Sequence, residues 1–283
     1  MKRIFIFIAL VINSLFTYGK TSGENAKFTN EDRLIFSKTI EKLIPHANCE
    51  KNELMIMVAK EFLETPYVAG TLETVPEILT INLHQTDCIL FVENCLAITT
   101  LLSSYAQTQQ YPTFEEYCDL IQSMRYRGGI VDGYSSRIHY TSEWILQNEN
   151  RNILYEYTPE FGERAYQTFS FMSTHPGSYK QLKSSPKEVE KIRKAEQNLE
   201  KQTKIYTIAA KDIDNFSDQI KDGDIVCFVS KVKGLDITHV GITYRDNGRL
   251  TFIHASSRAK KVIIEPKSLS EYCTTSIRLV RLI

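Results

Sequence analysis

The chain has 283 residues, 42% hydrophobic and 24% charged, with 34 Lys and Arg balancing 34 Asp and Glu to a formal net charge of zero. That length buries a large core in one or two domains, and the composition is neither disordered nor fibrous. Neutrality removes the cation excess that non-specific nucleic-acid binding or an anionic membrane surface requires. Six Cys in this length are too dilute for a disulfide-stapled mini-domain.

Lys2 and Arg3 precede an apolar run from Ile4 to Phe16, and Thr17-Tyr18-Gly19 follows with small residues at the cleavage-site positions. This is the pattern of a secretory signal peptide, residues 1–19, too short to span a bilayer as a helix. The expectation is a soluble mature chain, 20–283, folded as one domain, exported to a bacterial periplasm, with no membrane insertion after cleavage.

Apolar positions Leu34, Ile35, Ile40, Leu43 and Ile44 predict a helix that stops at Pro45, and a second helix runs from about Asn52 to Glu64. From Cys88 to about Tyr105 the apolar residues fall on nearly all sides, predicting a central buried helix. Thr113 with Glu116 forms a capping box for a helix through about Tyr126, closed by Gly128-Gly129. Ser185 with Glu188 predicts another, opening a Lys/Glu-rich helix to about Gln202. Its charges at i,i+4, Glu190 with Lys194 and Glu200 with Lys204, read as a solvated surface. Beyond residue 205 the period changes: Asp224–Val229, Ile237–Tyr244, Arg249–Ala255, Lys261–Ile264 and Ile277–Leu282 predict short strands. Helices first and strands second give an α+β fold with an antiparallel sheet, residues 106–204 forming a largely helical insertion that shapes the substrate site.

The chemistry-bearing pattern starts from a hairpin. Asn247-Gly248 as a two-residue loop sets Gly241 opposite His254 and makes His239 the diagonal neighbour of His254. Sliding the loop to Asp246-Asn247 sets the two histidines directly opposite. Any even-length loop leaves both imidazoles on one sheet face. Cys88, after Thr86-Asp87, opens the buried helix, where the positive end of the helix dipole favours thiolate and Asp87 opposes it. Thiolate, imidazolium and a third polar group are what cysteine nucleophilic catalysis needs. Cys88, His239 and His254 could in principle ligate zinc, but no Cys-x-x-Cys or His-Glu-x-x-His supplies a close-spaced ligand pair.

Asp87-Cys88-Ile89-Leu90-Phe91-Val92, Thr238-His239-Val240-Gly241-Ile242 and Phe252-Ile253-His254-Ala255-Ser256-Ser257 together resemble the NlpC-type papain-like cell-wall cysteine hydrolases. Pro66-Tyr67-Val68-Ala69-Gly70 is similar to the tyrosine segment upstream of their cysteine. The long Cys-to-His separation, Tyr134 to Tyr140, Trp144 and Gly234-Leu235-Asp236 are similar to one branch, the N-acetylmuramoyl-L-alanine amidase-like proteins. The resemblance implies a papain-like fold, with the Cys-bearing helix packed on the sheet. It also implies an amidase cutting between N-acetylmuramic acid and L-alanine in anhydro-muropeptides, for cell-wall recycling or turnover. Cys88 would be the nucleophile, His239 the base and His254 its orienting partner, with the Cys88 backbone N–H and Tyr67 near the oxyanion. Arg137, His139, Tyr140, Asp236 and Ser256 would line or bind substrate. Peptidoglycan fragments are the implied partners; no metal or other cofactor is required, and oligomeric state is left open. The same machinery could instead cut γ-D-glutamyl-diaminopimelate bonds, and a fold retained for binding alone is the non-enzymatic alternative.

Overall fold

The structure, a computed structural model, describes residues 26–108 and 110–283, so the expected signal peptide lies outside the described residues. Eight α-helices are present among them: α1 Asn30–Leu43, α2 Lys51–Glu61, α3 Cys88–Ser104, α4 Phe114–Arg125, α5 Thr141–Glu149, α6 Phe171–Thr174, α7 Pro186–Gln202 and α8 Leu269–Tyr272. The strands are β1 Leu154–Glu156, β2 Glu163–Ala165, β3 Ile205–Ala209, β4 Ile225–Val229, β5 Ile237–Asp246, β6 Arg249–Ser256, β7 Lys261–Ile264 and β8 Ser276–Leu282. They form one sheet in the order β2-β3-β8-β4-β5-β6-β7, with β1 added to β8 and every strand ladder antiparallel. This is the expected mixed α+β architecture. No described helix is long and apolar enough to cross a membrane.

Helix α3 is buried along most of its length, as its all-round apolar pattern predicts, and α1, α2 and α4 pack around it against one face of the sheet. Burial of each large aliphatic there, such as Leu96 or Ile98, is worth roughly 1.5–3 kcal/mol. Its buried Glu93 and Asn94 are both satisfied. Glu93 accepts from Arg125 Nε (2.8 Å) and Trp144 Nε1 (3.1 Å), while Asn94 donates to the Asn82 carbonyl (2.9 Å) and accepts from the Tyr117 hydroxyl (2.7 Å). The other face of the sheet carries a second cluster, with Val226, Phe228, Phe252, Ile277 and Leu279.

Residues 106–204 divide among all three cores, with Tyr157 in the second. Helix α4 with Trp144, Ile145 and Leu154 joins the main one, whereas Tyr134, Tyr140, Phe169, Met172, Leu182, Ile192 and Leu199 build a third cluster with Ile205. The segment also contributes β1 and β2 to the sheet, so it is less purely helical than its sequence suggests. Helix α7 likewise is not solvated all round. Ile192, Glu196 and Leu199 fall on one buried face, and Glu196 accepts from the Tyr140 hydroxyl at 2.7 Å and the Ser173 N–H at 3.1 Å. Ser185 caps α7 as predicted, but the Glu188 carboxylate turns outward to the Ser135 N–H (2.8 Å) instead of closing the box. The ion pairs along α7 are Glu188 with Lys191 and Glu190 with Arg193, three residues apart rather than four.

Candidate active site

Three backbone devices place Cys88. Asp87 caps α3, accepting the Leu90 N–H at 3.0 Å, so Cys88 is the first helical residue. The 66–68 segment runs beside Thr86, with Val68 N–H donating to the Thr86 carbonyl and Thr86 N–H to the Pro66 carbonyl, both at 2.9 Å. That brings Tyr67 next to the thiol: its hydroxyl is pushed up by burial and by the charges of Cys88 and Asp87. Third, the backbone N–H groups of Cys88, Ile89 and Val240 converge on the sulfur and favour negative charge there. They do not prevail. Burial, reinforced by the Asp87 carboxylate, pushes the Cys88 thiol up to about 12, so the helix dipole leaves it protonated, contrary to the thiolate expected from its position.

The hairpin adopts the register set by an Asn247-Gly248 loop, with Ile242 opposite Ile253 and Asp246 opposite Arg249. Asn247 (φ 51°) and Gly248 (φ 84°) both occupy the left-handed region that this two-residue turn demands. His239 and His254 therefore share the face bearing Phe228 and Phe252, with His239 Nε2 2.6 Å from His254 Nδ1. Phe228 stacks on His239 (5.9 Å between centroids), Phe252 leans on His254 (4.5 Å), and Tyr272 lies edge-on to His254 (5.7 Å). Gly241 makes the close approach possible, since a Cβ there would sit 2.6 Å from Phe252 Cδ2 and 3.2 Å from His254 Cβ. Both rings are neutral: burial takes His254 down to about 4, and burial plus its neighbour His254 takes His239 down to about 3. The site rests as thiol and imidazole rather than as an ion pair.

Cys88 and His239 line one cleft of about 240 Å³, with Leu72, Ile89, Glu93, Arg125, Arg137, Ile138, His139, Tyr140, Trp144 and Val240 among its walls. Arg137 is 6% exposed and lies between Glu73 (2.8 Å) and Glu77 (3.1 Å), its guanidinium over the Tyr134 ring. Arg125 donates to Glu93 and to the Thr80 carbonyl (2.6 Å). Arg125 Nη2 is buried without a hydrogen-bond partner, whereas Arg137 Nε lies 3.1 Å from Glu77 in an ion pair. His139 donates from Nε2 to the Tyr134 carbonyl (3.0 Å), and its ring packs on Tyr134. Burial and Arg137 hold it neutral.

Three sequence-picked residues have their polar atoms engaged elsewhere. The Tyr140 hydroxyl donates to Glu196 and accepts from the Met172 N–H, inside the third core. Asp236 Oδ2 accepts the Ser142 N–H (2.7 Å) and so caps α5. Ser256 accepts the Ala259 N–H (3.1 Å) in the turn after β6.

A family model described as N-acetylmuramoyl-L-alanine amidase-like matches residues 57–278. The chain belongs to the N-acetylmuramoyl-L-alanine amidase-like family. Among solved structures it is similar to an N-acetylmuramoyl-L-alanine amidase from Bacteroides uniformis, at 33% identity and a TM-score of 0.74, over 82% of this chain and 99% of that one. A Bacteroides fragilis protein described as a putative xylanase matches at 33% identity and a TM-score of 0.71, over 79% of this chain and 99% of that one. A Legionella pneumophila protein, LPG0564, shares the fold at 18% identity and a TM-score of 0.63, over 87% and 94% of the two chains. No curated protein matches.

For a member of this amidase-like family, sequence reading missed two groups at the site. The Glu93–Arg125 pair was hidden because α3 reads as apolar and α4 as an ordinary amphipathic helix. The other is Glu265, whose Oε2 lies 3.2 Å from His254 Nε2. Its signal was present: β7 pairs with β6 across a tight turn, His254 opposite Ile263, and the Glu265 N–H continues that register to the Phe252 carbonyl at 2.9 Å. Extending the pairing by two residues places Glu265 diagonal to His254 on the same face.

Proposed function

We propose that this chain is a cysteine amidase of the NlpC type, hydrolysing the amide between N-acetylmuramic acid and L-alanine in soluble peptidoglycan fragments. The observation that carries the reading is that Cys88 and His239 share one cleft while His239 Nε2 is committed to His254 at 2.6 Å, leaving Nδ1 as the base nitrogen. The thiol proton moves to His239 Nδ1 as Cys88 Sγ bonds to the lactyl carbonyl carbon. The resulting oxyanion is next to the backbone N–H of Cys88, a helix-start donor, and to Tyr67. Collapse breaks the C–N bond, His239 returns the proton to the L-alanine nitrogen, and a lactyl thioester remains. Water, deprotonated by His239, then frees the acid and the thiol. No step calls for a metal, and no three His, Cys, Asp or Glu side chains gather as a metal site among the described residues.

The arginine wall supports the sugar–peptide junction as substrate, because two guanidiniums held by carboxylates line the cleft and offer fixed positive charge to acceptor oxygens. Anhydro-muropeptides are the preferred form, the role is cell-wall turnover or recycling, and the sequence of residues 1–19 supports export to the periplasm. The Bacteroides uniformis relative, by its name, acts on this same bond class.

The test is mass spectrometry of an anhydro-disaccharide tetrapeptide incubated with the wild type and with Cys88→Ala. Release of the intact tetrapeptide by the wild type alone is expected. A product lacking L-Ala-D-Glu would move the cut to the γ-D-glutamyl-diaminopimelate bond, and no cleavage by either protein would overturn the enzymatic reading.

A further inference from the structure

We propose that Glu265 is a positioning residue that fixes the tautomers of both imidazoles and so presents the Nδ1 lone pair of His239 to the thiol. This rests on the reading of His239 as the base, yet it can be tested without substrate.

The argument follows the protons. Three groups form an unbroken line: Glu265 Oε2 is 3.2 Å from His254 Nε2, and His254 Nδ1 is 2.6 Å from His239 Nε2. A carboxylate oxygen only accepts, so His254 carries its hydrogen on Nε2. Burial keeps His254 neutral with a single N–H, so its Nδ1 is a lone pair and must accept. The hydrogen between the rings then belongs to His239 Nε2. His239 is neutral as well, which leaves its Nδ1 bare. One acceptor at the end of the line thus decides which nitrogen is basic at its start. Without it, His254 can carry its hydrogen on Nδ1, donate to His239 Nε2 and leave the hydrogen of His239 on Nδ1, where it blocks proton uptake from Cys88.

Glu265 is built to hold this position. It is 8% exposed, its Oε1 accepts the Lys267 N–H (3.2 Å), and its carbonyl accepts the Thr251 hydroxyl (2.7 Å). Phe252 and Tyr272 enclose His254 and limit its ring to this orientation. When His239 takes the thiol proton, the new imidazolium keeps its Nε2–H on His254, whose own N–H still ends on the carboxylate. The charge is stabilised through the line without any proton leaving it.

The experiment is ¹⁵N NMR of histidine-labelled mature protein, wild type against Glu265→Ala and the isosteric Glu265→Gln, with kcat and KM on the muropeptide and melting curves for each. In the wild type, His239 shows a protonated Nε2 and an unprotonated Nδ1. In the folded Glu265→Ala variant both tautomers appear, and kcat falls about 10- to 100-fold, the scale seen when the partner orienting a metal-bound histidine is removed, with KM within about twofold. Glu265→Asp, which keeps the acceptor, restores the single tautomer. A folded Glu265→Ala variant that keeps the wild-type tautomer, or loses activity only in step with its melting temperature, would overturn the proposal, whereas Glu265→Gln reads how far an amide oxygen replaces the carboxylate. A wild type that cleaves no muropeptide yet shows the expected tautomer shift would sink the functional reading and leave this one standing.

Discussion

The two walls of the cleft solve opposite problems. The histidine wall, which reaches the cleft through His239, is aromatic and uncharged: behind it Phe228, Phe252 and Tyr272 pack on two neutral imidazoles, with the Glu265 carboxylate beyond them. The arginine wall is a charge lattice, with Arg125 on Glu93 and Arg137 between Glu73 and Glu77, yet both cations are almost wholly buried. A dry wall keeps its bases unprotonated and its thiol waiting for a proton acceptor; a charged wall keeps N–H donors rigidly aimed at low reorganisation cost. On the proposed function, burial here serves reactivity on one side and recognition on the other. The two should therefore fail differently when altered.

The largest effect separates chemistry from binding. Cys88→Ala abolishes turnover by a factor of about 10³ or more while the melting curve and muropeptide affinity, read by calorimetry, stay close to wild type. On the arginine wall, Glu93→Gln leaves Arg125 buried without its countercharge. A stability loss of about 3–5 kcal/mol in urea titration is expected, and KM rises in whatever fraction remains folded. On the histidine wall, Gly241→Ala forces Phe252 and His254 apart. It costs roughly 1–3 kcal/mol from overpacking, with kcat falling and KM held, the reverse kinetic signature. An unchanged kcat in this variant would mean the imidazole pair tolerates displacement and the contrast between walls is wrong.

A pH series sharpens the comparison further. Because the folded-state values of His239 and His254 lie below the ordinary 6.5, at about 3 and about 4, the unfolded chain binds more protons between those limits. Stability contributed by these groups is therefore complete above pH 6.5 and declines as pH falls toward 3. Activity on the same axis keeps its neutral value well below pH 6.5, since the base stays unprotonated. An acid limb of kcat/KM centred near 6.5 would contradict a desolvated histidine wall. The smallest effect lies outside both walls: removing the exposed Glu190–Arg193 pair on α7 changes stability by about 0.5 kcal/mol or less.

What could be read from sequence follows the range of the interactions. The Asn247-Gly248 turn dictates register locally, so the meeting of His239 and His254 was readable, as was the cap that sets Cys88 at the start of α3. The electrostatics were not. A helix N-terminus argues for thiolate, but how deeply the thiol is enclosed depends on residues brought from 66–68 and from β5. Likewise Tyr140, Asp236 and Ser256 sit in stretches that resemble the family's site. Their polar atoms are used by Glu196, Ser142 and Ala259, partners that tertiary packing alone supplies. The short strands β1, β2 and β3 were hidden for a related reason, since at three to five residues they owe their conformation to the ladder they join.

The protonated state of Cys88 has a consequence for durability. Peroxides and disulfides are attacked by thiolate, and a thiol held near 12 exposes only about one anion in 10⁵ at pH 7. Cys95, Cys118, Cys227 and Cys273 are buried, and no disulfide joins any of the six. The protein thus carries six reduced sulfurs, and burial favours the thiol form at Cys88. On the proposed mechanism, a Cys88 thiol kept protonated between turnovers tolerates an oxidant better than a standing thiolate would.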